Sequence, residues 1–349
     1  MKQITVAILF GGNSTEYEVS LQSACSVIEH LNTKKYRPIL LGITRQGEWM
    51  KYGGGIRQIQ NDTWRSHDSC VPAVISPDRH THGILVLDRG RATAIPIDAA
   101  FPVLHGKNGE DGTVQGLLEM AGIPCVGCGM LSSALCMDKD IAHKLVRLAG
   151  IKTPNSIVLL SPIADKKLAE QTAHLQYPLF VKPANAGSSF GITKVSERSG
   201  LADAVHIAFE HDRKVIIEEA AAGFEVGCAV LGNETLTIGE VDEIELSHGF
   251  FNYTEKYTLT TSKIHMPARI DKETADRLKQ TAAVIYRTLG CRGFARVDMF
   301  LTPDKEIIFN EVNTIPGFTS HSRYPSMLRG IGMAFPQIVD ELIRLAIQS

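Results

Sequence analysis

Two carboxylates and one amide near the end of the chain have the residue types and spacing of a metal site. They are Asp298 in the segment RVDMF, and Glu311 and Asn313 in the segment FNEVN. If the intervening TPDKE forms the turn of a hairpin, Asp298 lies opposite Glu311 and Arg296 opposite Asn313. All four side chains then share one face. Oxygen ligands without His or Cys favour a hard cation such as Mg²⁺ or Mn²⁺, whose remaining coordination positions suit phosphate oxygens.

The same hairpin could instead be a solvated edge whose carboxylates are there by chance. Two carboxylates directly opposed across strands repel each other and destabilise a hairpin unless a cation lies between them. The residues between the polar ones are apolar, which implies burial of at least one face and favours the metal interpretation. These apolar residues are Val297, Met299, Phe309 and Val312.

A Gly- and Ser-rich loop follows a lysine in the segment YPLFVKPANAGSSFGITKV. The apolar run predicts a strand that ends at Lys182 and Pro183, and ITKV predicts the returning strand. A fixed ammonium beside a loop of backbone N–H donors suits a polyphosphate. The chain contains no GxxxxGK[ST] segment, so this is not a Walker A loop. Taken alone, the loop is more typical of an ordinary hairpin with a surface lysine.

Length and composition describe an ordinary globular protein of two or three domains. The chain has 349 residues, 44% of them hydrophobic, and 36 basic against 38 acidic residues give a formal charge of -2. This balance provides no basic face for nucleic acid. No apolar stretch suits export or a membrane span, so we expect a cytoplasmic location. Seven cysteines, an odd number, argue for reduced thiols. Cys125 and Cys128 lack a second pair or a spaced His, which is more typical of small loop residues than of a metal or redox site.

The order of the elements predicts an α/β fold. The first ~125 residues have the pattern of an open α/β sheet, opening with a strand, a Gly-Gly break and a helix capped by Thr15 and Glu18. A helix over 130–149, strands from about Val215, a helix over 272–289 and the hairpin follow. The irregular stretch LSHGFFNYTEKYTLTTSKIHMP is long for a compact domain, which is more typical of a functional loop.

Six ordered segments resemble the D-alanine–D-alanine ligase family of the ATP-grasp superfamily across essentially the whole chain. They are GGNSTEYEVSL, HGKNGEDGTVQG, SALCMDK, VKPANAGSS, GFARVDMF and NEVNTIPGFTSHS. The resemblance implies an α/β ATP-grasp fold with an N-terminal open α/β domain (1–128), a small central α+β lid domain (129–217) and a C-terminal mixed-sheet domain (218–349). It also implies an enzyme that joins an ATP-activated D-alanine to a second D-amino acid for peptidoglycan precursors.

The resemblance also implies where ATP and metal ions bind. ATP is expected at Lys139, Lys182, Ser188, Ser189, Glu218, Glu219, Ala221, Glu225 and Lys256. Among these, Lys139 and Lys182 would contact the phosphates and Glu225 the ribose. Two Mg²⁺ ions, or Mn²⁺ in their place, are expected at Asp298, Glu311 and Asn313. Without the family, Glu218 and Glu219 could form a solvated strand end.

The implied reaction has two steps: phosphoryl transfer from ATP to the carboxylate of the first D-alanine, then attack of the second substrate's amine on the acyl phosphate. Arg296 and the backbone N–H of Gly317 would stabilise the oxyanion, an interaction worth ~3 kcal/mol in other oxyanion holes. Glu16 and His105 match the first-substrate site, although His105 could also be a surface residue at a strand end. Ser322 matches the place where the second substrate's carboxylate binds. A hydrogen-bonded latch over the site is expected from Glu16, Ser188 and Tyr257.

Two places depart from the common family pattern. Arg323 stands where leucine usually follows the serine, and Phe251 with Asn252 replaces a Tyr-Asp pair. Both resemble the vancomycin-resistance D-Ala–D-Ser ligases of the VanC and VanG type. A buried donor that a serine hydroxyl engages, and that alanine leaves unpaired, would discriminate by about 1 to 3 kcal/mol. Lys256 and Tyr257 argue against the D-lactate-using relatives, so we predict a D-Ala–D-Ser ligase, with a housekeeping D-Ala–D-Ala ligase as the alternative.

Two other classes of function are less consistent with the sequence. A catalytically silent nucleotide-binding protein on this scaffold would be expected to lose members of the metal and oxyanion set, and the chain keeps them all. A ligase for another acid, such as a glutathione-type peptide, is disfavoured by HGKNGEDG and TSHS. The expected partners are D-Ala, D-Ser and ATP, without nucleic acid or membrane, and the resemblance implies a homodimer.

Overall fold

A computed structural model describes residues 3–187, 190–246 and 262–348. Its strands form three sheets that follow one another along the chain, as the predicted α/β fold requires. All seven cysteines are free thiols, as expected. Across the described ranges, no helix has both the length and the apolar character needed to cross a membrane.

The N-terminal sheet is built from strands β1 (Ile4–Gly11), β2 (Tyr36–Ile43), β3 (Trp49–Tyr52), β4 (Val71–Ile75), β5 (Gly83–Asp88), β6 (Arg91–Pro96) and β7 (Ala99–Pro102). Their order is β6-β5-β4-β3-β2-β1-β7. Strand β1 pairs in parallel with β2 and β7 along its two edges, and its two faces contribute to two different hydrophobic cores, so its apolar run ITVAILFG is almost wholly buried. The helices of this part are α1 (Tyr17–His30), α2 (Ile56–Gln60) and α3 (Thr113–Ala121), with a 3₁₀ turn at Trp64–Ser66.

A smaller antiparallel sheet occupies the middle of the chain. Helices α4 (Met130–Met137) and α5 (Lys139–Leu148) lead into β8 (Ser156–Leu159), α6 (Asp165–Gln171), β9 (Leu179–Pro183), β10 (Thr193–Val195), a 3₁₀ turn (Arg198–Gly200), α7 (Leu201–His211) and β11 (Val215–Glu219). The strand order is β10-β9-β11-β8. Apolar residues of α6 and α7 form one core with the strands, so these two helices cover one face of the sheet.

The C-terminal sheet is antiparallel and has helices on both faces. Its strands are β12 (Phe224–Gly232), β13 (Leu236–Leu246), β14 (Ser262–His265), β15 (Phe294–Leu301) and β16 (Ile307–Asn313), in the order β14-β13-β12-β15-β16. Helix α8 (Lys272–Thr288) shares a core with one face. Helices α9 (Arg323–Gly330) and α10 (Phe335–Ile347) cover the other face, in a core shared with β1 and α1. The N-terminal and C-terminal sheets are thus packed around common helices.

Two local predictions are wrong. The single helix expected over 130–149 is divided at Asp138, which has extended backbone angles and whose carboxylate accepts a hydrogen bond from the N–H of Ile141 at 3.2 Å as the N-cap of α5. The expected capping box of Thr15 and Glu18 does not form, because α1 begins at Tyr17 with Glu16 at the N-cap and no side-chain cap bond.

Candidate active site

A row of residues crosses four strands on the face of the C-terminal sheet that α9 covers. Asp242 on β13 pairs with Gly227 on β12, Gly227 pairs with Asp298 on β15, and Asp298 pairs with Glu311 on β16. Side chains directly opposite each other on neighbouring strands project from the same face. Three carboxylates therefore lie side by side, with a gap above the glycine.

The predicted register of the β15–β16 hairpin is confirmed at the site. Asp298 pairs with Glu311 and Arg296 with Asn313. Towards the turn the register shifts by one residue, so that Met299 pairs with Phe309. The regular hairpin drawn from the turn position is wrong for that half, because a bulge at the site end absorbs one residue.

The carboxylate of Asp298 is held by cationic and amide groups of the chain itself. Arg296 donates from Nε at 2.8 Å and from Nη2 at 2.7 Å, and Asn313 donates from Nδ2 at 2.9 Å. Burial opposes the charge of Arg296, but the carboxylate of Asp298 outweighs it and holds the pKa of the guanidinium above its usual value. The repulsion expected between the paired carboxylates is therefore relieved on this side by Arg296.

Lys139 relieves it on the other side. Its Nζ lies 3.4 Å from Oε2 of Glu311 and donates to the carbonyl of Ala186 at 2.8 Å. Lys139 is the first residue of α5, and Ala186 lies in the Gly- and Ser-rich loop. One buried ammonium thus joins the loop expected to hold phosphate to the hairpin expected to hold metal.

Lys182 and Glu218 form a buried ion pair between neighbouring strands of the central sheet. The second carboxylate oxygen of Glu218 is also buried, and within the described residues no partner reaches it. An orphaned carboxylate oxygen beside an ammonium suits a ligand with an exposed amino group and phosphates, as ATP has. The alternative of a solvated strand end is wrong for Glu218. The Glu219 side chain faces outward, where it accepts from the backbone N–H of Gln176 at 2.9 Å.

Arg323 fills the gap above Gly227. It donates to Asp242 from Nε at 2.7 Å and from Nη2 at 2.8 Å, and to Glu225 from Nη1 at 3.0 Å. Its Nη2 lies 3.6 Å from Oδ1 of Asp298. A Cβ on Gly227 would lie 2.5 Å from this nitrogen, so only glycine leaves room for the guanidinium.

Ser322 and Gly317 lie against each other in the loop between β16 and α9. A Cβ on Gly317 would lie 3.2 Å from Oγ of Ser322. That hydroxyl accepts from the N–H of Thr319 at 3.0 Å, which fixes the turn. The expected oxyanion donor and the expected carboxylate-binding serine are therefore neighbours, directly before Arg323.

Glu16 follows β1 and His105 follows β7, so both lie at the carboxyl edge of the N-terminal sheet. Glu16 is buried, and a Cβ on Gly106 or Gly187 would lie 2.5 Å or 2.8 Å from its Oε2. His105 is only 4% exposed, so the alternative of a surface residue is wrong. Burial lowers the pKa of His105, which favours the neutral imidazole.

Three buried polar residues of this region were not singled out from the sequence. Ser23 donates to or accepts from His105, Glu110 binds two backbone N–H groups, and Asp242 binds Arg323. Burial, followed by the nearby carboxylate of Glu16, raises the pKa of Glu110 to about 8. Glu110 lies inside the HGKNGEDG segment, which is a signal that could have found it. Ser23 and Asp242 stand in ordinary helix and strand patterns that carry no such signal.

Several predicted site residues lie outside the described residues, so their expected roles stay predictions. They are Ser188, Ser189, Phe251, Asn252, Lys256 and Tyr257. Ala221 is described and lines a cleft between residues 150–155, which lead from α5 into β8, and residues 219–222, which lead from β11 towards β12.

The donor chemistry of the site fits ATP and a hard cation. Within the described ranges, no group of three or more His, Cys, Asp and Glu residues is arranged to hold a metal ion. The expected set needs only two carboxylates, Asp298 and Glu311, with the amide oxygen of Asn313 as the third ligand. Such an oxygen set matches Mg²⁺ or Mn²⁺.

Comparisons with known proteins cover the whole chain. Residues 5–128 match the family described as D-ala D-ala ligase N-terminus, and residues 145–344 match D-ala D-ala ligase C-terminus. A solved structure, the VanG D-Ala:D-Ser ligase from Enterococcus faecalis, is 58% identical, covers 99% of this chain and 100% of its own, and superposes with a TM-score of 0.92.

Two curated relatives are nearly half identical to the chain. The vancomycin B-type resistance protein VanB of Enterococcus faecalis is 47% identical over 100% of both chains. A putative D-alanine–D-lactate ligase of Streptomyces coelicolor is 46% identical over 99% of both. The names of the VanG ligase and of the Streptomyces relative give different second substrates, D-serine and D-lactate.

Proposed function

This chain belongs to the D-alanine–D-alanine ligase family of ATP-dependent, ADP-forming ligases, and on that premise we propose that it joins D-alanine to D-serine through a D-alanyl phosphate. The family shares one chemistry and differs in the second substrate. The proposed product, D-Ala-D-Ser, would enter modified peptidoglycan precursors and give vancomycin resistance. The similarity to the VanG D-Ala:D-Ser ligase supports D-serine as the second substrate, and the similarity to VanB supports a role in vancomycin resistance.

The residues proposed for the phosphates and adenine lie on neighbouring elements, since β9 pairs with β11 and the N–H of Lys139 donates to the carbonyl of Ala184 directly after β9. Lys139 and Lys182 would contact the phosphates, and the orphaned oxygen of Glu218 would accept from the adenine amino group. Divalent metal, when bound, neutralises phosphate charge. We propose that Asp298, Glu311 and Asn313 hold two Mg²⁺ ions. Because Asn313 donates to Asp298 from Nδ2, its amide oxygen is left as an acceptor for a metal ion.

The residues proposed for acyl transfer converge on the loop after β16. Arg296 and the N–H of Gly317 would stabilise the negative oxygen that forms when the amine attacks the acyl phosphate. Glu16 would bind the first D-alanine, since its buried carboxylate lies at the edge of the phosphate loop. The latch formed with Ser188 and Tyr257, the ribose contact of Glu225, homodimeric assembly and a cytoplasmic location remain predictions.

The observation that carries the D-serine assignment is the buried guanidinium of Arg323. It directly follows Ser322 and lies beside Asp298, so it forms part of the wall at the proposed second-substrate site. Three of its five N–H donors are accounted for within the described residues, by Asp242 and Glu225. A polar wall of this kind favours a substrate hydroxyl over a methyl group.

A D-Ala–D-Ala or D-Ala–D-lactate ligase would share the whole site except this wall and the long loop. The family description favours the first alternative and the Streptomyces relative the second. A silent nucleotide-binding protein is disfavoured because the acyl-transfer residues are present and brought together.

The test is a competition among second substrates. The purified chain is given Mg-ATP, D-alanine, D-serine and D-lactate at equal concentrations, and the products are separated and counted. The proposal predicts D-alanine-dependent ADP release with D-Ala-D-Ser as the main product. A main product of D-Ala-D-Ala or D-Ala-D-lactate would refute the D-serine assignment, and ATP turnover independent of D-alanine would refute the ligase.

A further inference from the structure

The loop that carries Gly317 is tied on both sides to buried side chains of the N-terminal part of the chain. Before the glycine, the N–H of Ile315 donates to Oε2 of Glu110 at 3.2 Å, and the carbonyl of Ile315 lies 2.8 Å from Nδ1 of His105. After the glycine, the N–H of Phe318 donates to Oγ of Ser23 at 3.2 Å. These contacts span more than two hundred residues of sequence, so local turn geometry alone does not set the loop.

The hydrogen-bond directions in this network are fixed by its ends. A carbonyl only accepts, so Nδ1 of His105 must carry the hydrogen that is donated to Ile315. In a neutral imidazole Nε2 is then the acceptor, and Oγ of Ser23, 3.0 Å away, must donate to it. The same hydroxyl accepts from Phe318, so every donor in this chain of contacts has an acceptor. Both ring nitrogens of His105 are thereby used within the protein.

Glu110 makes a second tie between the two parts of the chain. Its Oε1 accepts from the N–H of Gly106 at 3.1 Å while Oε2 accepts from Ile315, and the hydroxyl of Thr314 donates to its backbone carbonyl at 3.3 Å. The loops after β7 and after β16 are thus joined through one carboxyl group. A side chain this well buried has little freedom to move.

We propose that Ser23 and Glu110 are positioning residues which, with His105, hold the N–H of Gly317 in place for acyl transfer. The inference rests on the proposed function, because it matters for catalysis only if Gly317 stabilises the oxyanion. The hydroxyl of Ser23 is engaged by His105 and the N–H of Phe318, and the carboxyl group of Glu110 by the N–H groups of Gly106 and Ile315. Their effect is geometric, since a misplacement of about 1 Å at a reacting centre can lower a rate by roughly a hundredfold.

Ser20 supplies a matched control on the same helix. It is as fully buried as Ser23, and its hydroxyl also accepts a backbone N–H, that of Gly11 at 2.8 Å, and donates to the carbonyl of Val103. All these partners belong to the N-terminal part. Ser20→Ala therefore removes the same chemistry and volume as Ser23→Ala without loosening the Gly317 loop.

The experiment compares Ser23→Ala, Ser20→Ala and the isosteric Glu110→Gln in the full chain, with kcat counted per active site and KM for ATP measured alongside Tm. Ser23→Ala and Glu110→Gln should lower kcat about tenfold and leave KM for ATP unchanged. Ser20→Ala should lower Tm as much as Ser23→Ala and keep the wild-type kcat. Glu110→Gln keeps one acceptor oxygen, so it should be more active than Glu110→Ala.

Equal kcat values for Ser23→Ala and Ser20→Ala, or a wild-type kcat for Glu110→Gln, would overturn the inference while leaving the ligase intact. A wild-type chain without D-alanine-dependent ATP turnover would instead overturn the proposed function itself, and the inference with it. The wild-type measurement therefore separates the two failures.

Discussion

Two buried arginine–aspartate pairs lie side by side in the site, and they differ in how the chain makes them. Arg296 and Asp298 are two residues apart on one strand. Arg323 and Asp242 are 81 residues apart and meet because α9 packs across the sheet. In each pair two nitrogens of the guanidinium donate hydrogen bonds to one carboxylate.

We expect the two arginine–aspartate pairs to have different roles. Asp298 is shared among Arg296, Asn313 and Arg323, so it can exchange partners when metal and nucleotide bind. Both oxygens of Asp242 accept from Arg323. The contact fits because Gly227 has no Cβ, which would collide with both side chains. We expect the first pair to serve the chemistry and the second to set the shape of the second-substrate wall.

Removal of the second pair's carboxylate should have the largest effect on stability. Asp242→Ala leaves the buried Arg323 without its main partner, so the free energy of unfolding should fall by about 3 to 5 kcal/mol. Chemical denaturation measures this loss. Glu243→Ala is the control, because the neighbouring Glu243 also pairs with an arginine, Arg269, but that arginine is half exposed and can be hydrated. If Asp242→Ala and Glu243→Ala lost the same free energy of unfolding, this would contradict the interpretation that Arg323 and Asp242 form a pair closed off from water.

Removal of the first pair's guanidinium should mainly affect the rate. Arg296→Ala takes away the proposed oxyanion donor, and kcat should fall about 10² to 10³-fold, or roughly 2.7 to 4 kcal/mol in the barrier. Steady-state ADP release measures it, with Arg269→Ala as a surface control that keeps wild-type turnover. A kcat within the range of the control would show that Arg296 does not act in the reaction.

A methyl group placed between the two pairs should disturb the second pair. In Gly227→Ala the new Cβ would meet Nη2 of Arg323 at 2.5 Å and Oδ1 of Asp242 at 2.8 Å. We expect about 1 to 3 kcal/mol of destabilisation and a lower share of D-Ala-D-Ser among the products. The control is Gly116→Ala in α3, where the new Cβ would lie 3.4 Å from Cγ of Met130 in α4. An unchanged ratio of D-Ala-D-Ser to D-Ala-D-Ala would show that Gly227 does not influence the choice of second substrate.

The smallest effect expected is a pH dependence outside both pairs, at His105. Because its pKa in the folded chain lies below the usual value of 6.5, folding favours the neutral ring. The stability this gives is present above about pH 6.5 and is lost as the pH falls from there towards the folded pKa. Wild type should therefore lose stability over this acid range faster than His105→Gln, while the exposed His206→Gln should follow wild type. If the free energy of unfolding fell equally with decreasing pH in wild type and His105→Gln, this would contradict a buried neutral imidazole.

The sequence predicted that the two members of the first pair lie on one face, and it predicted nothing of the second pair, for a physical reason. Two strands joined by a short turn have few possible registers, so the positions of Arg296, Asp298, Glu311 and Asn313 follow from the hairpin. The bulge near Asn310 could not be predicted, because either strand could absorb the extra residue. Arg323 was recognised as unusual, but its contact with Asp242 depends on how α9 packs, which no local pattern encodes.

The same reasoning applies to the N-terminal part of the site. The strand–loop–helix order was predicted, because buried parallel strands are continuous apolar runs. The ties from Ser23 and Glu110 to the loop at 315–318 were not, since they join segments far apart in sequence. The helix break at Asp138 was also missed, although an aspartate three residues before Ile141 is a possible N-cap.

The most direct test of the specificity claim is the product ratio of Arg323→Leu in the competition between D-serine and D-alanine, with wild type and Arg329→Leu beside it. Arg329 lies on the same helix, but among the residues that the structure describes it binds only the carbonyl of Ser320 and the hydroxyl of Ser326 at the surface. The account predicts that Arg323→Leu shifts the product from D-Ala-D-Ser to D-Ala-D-Ala, whereas Arg329→Leu keeps the wild-type ratio. The same D-Ala-D-Ser share in all three proteins would contradict the claim that the buried guanidinium selects the second substrate.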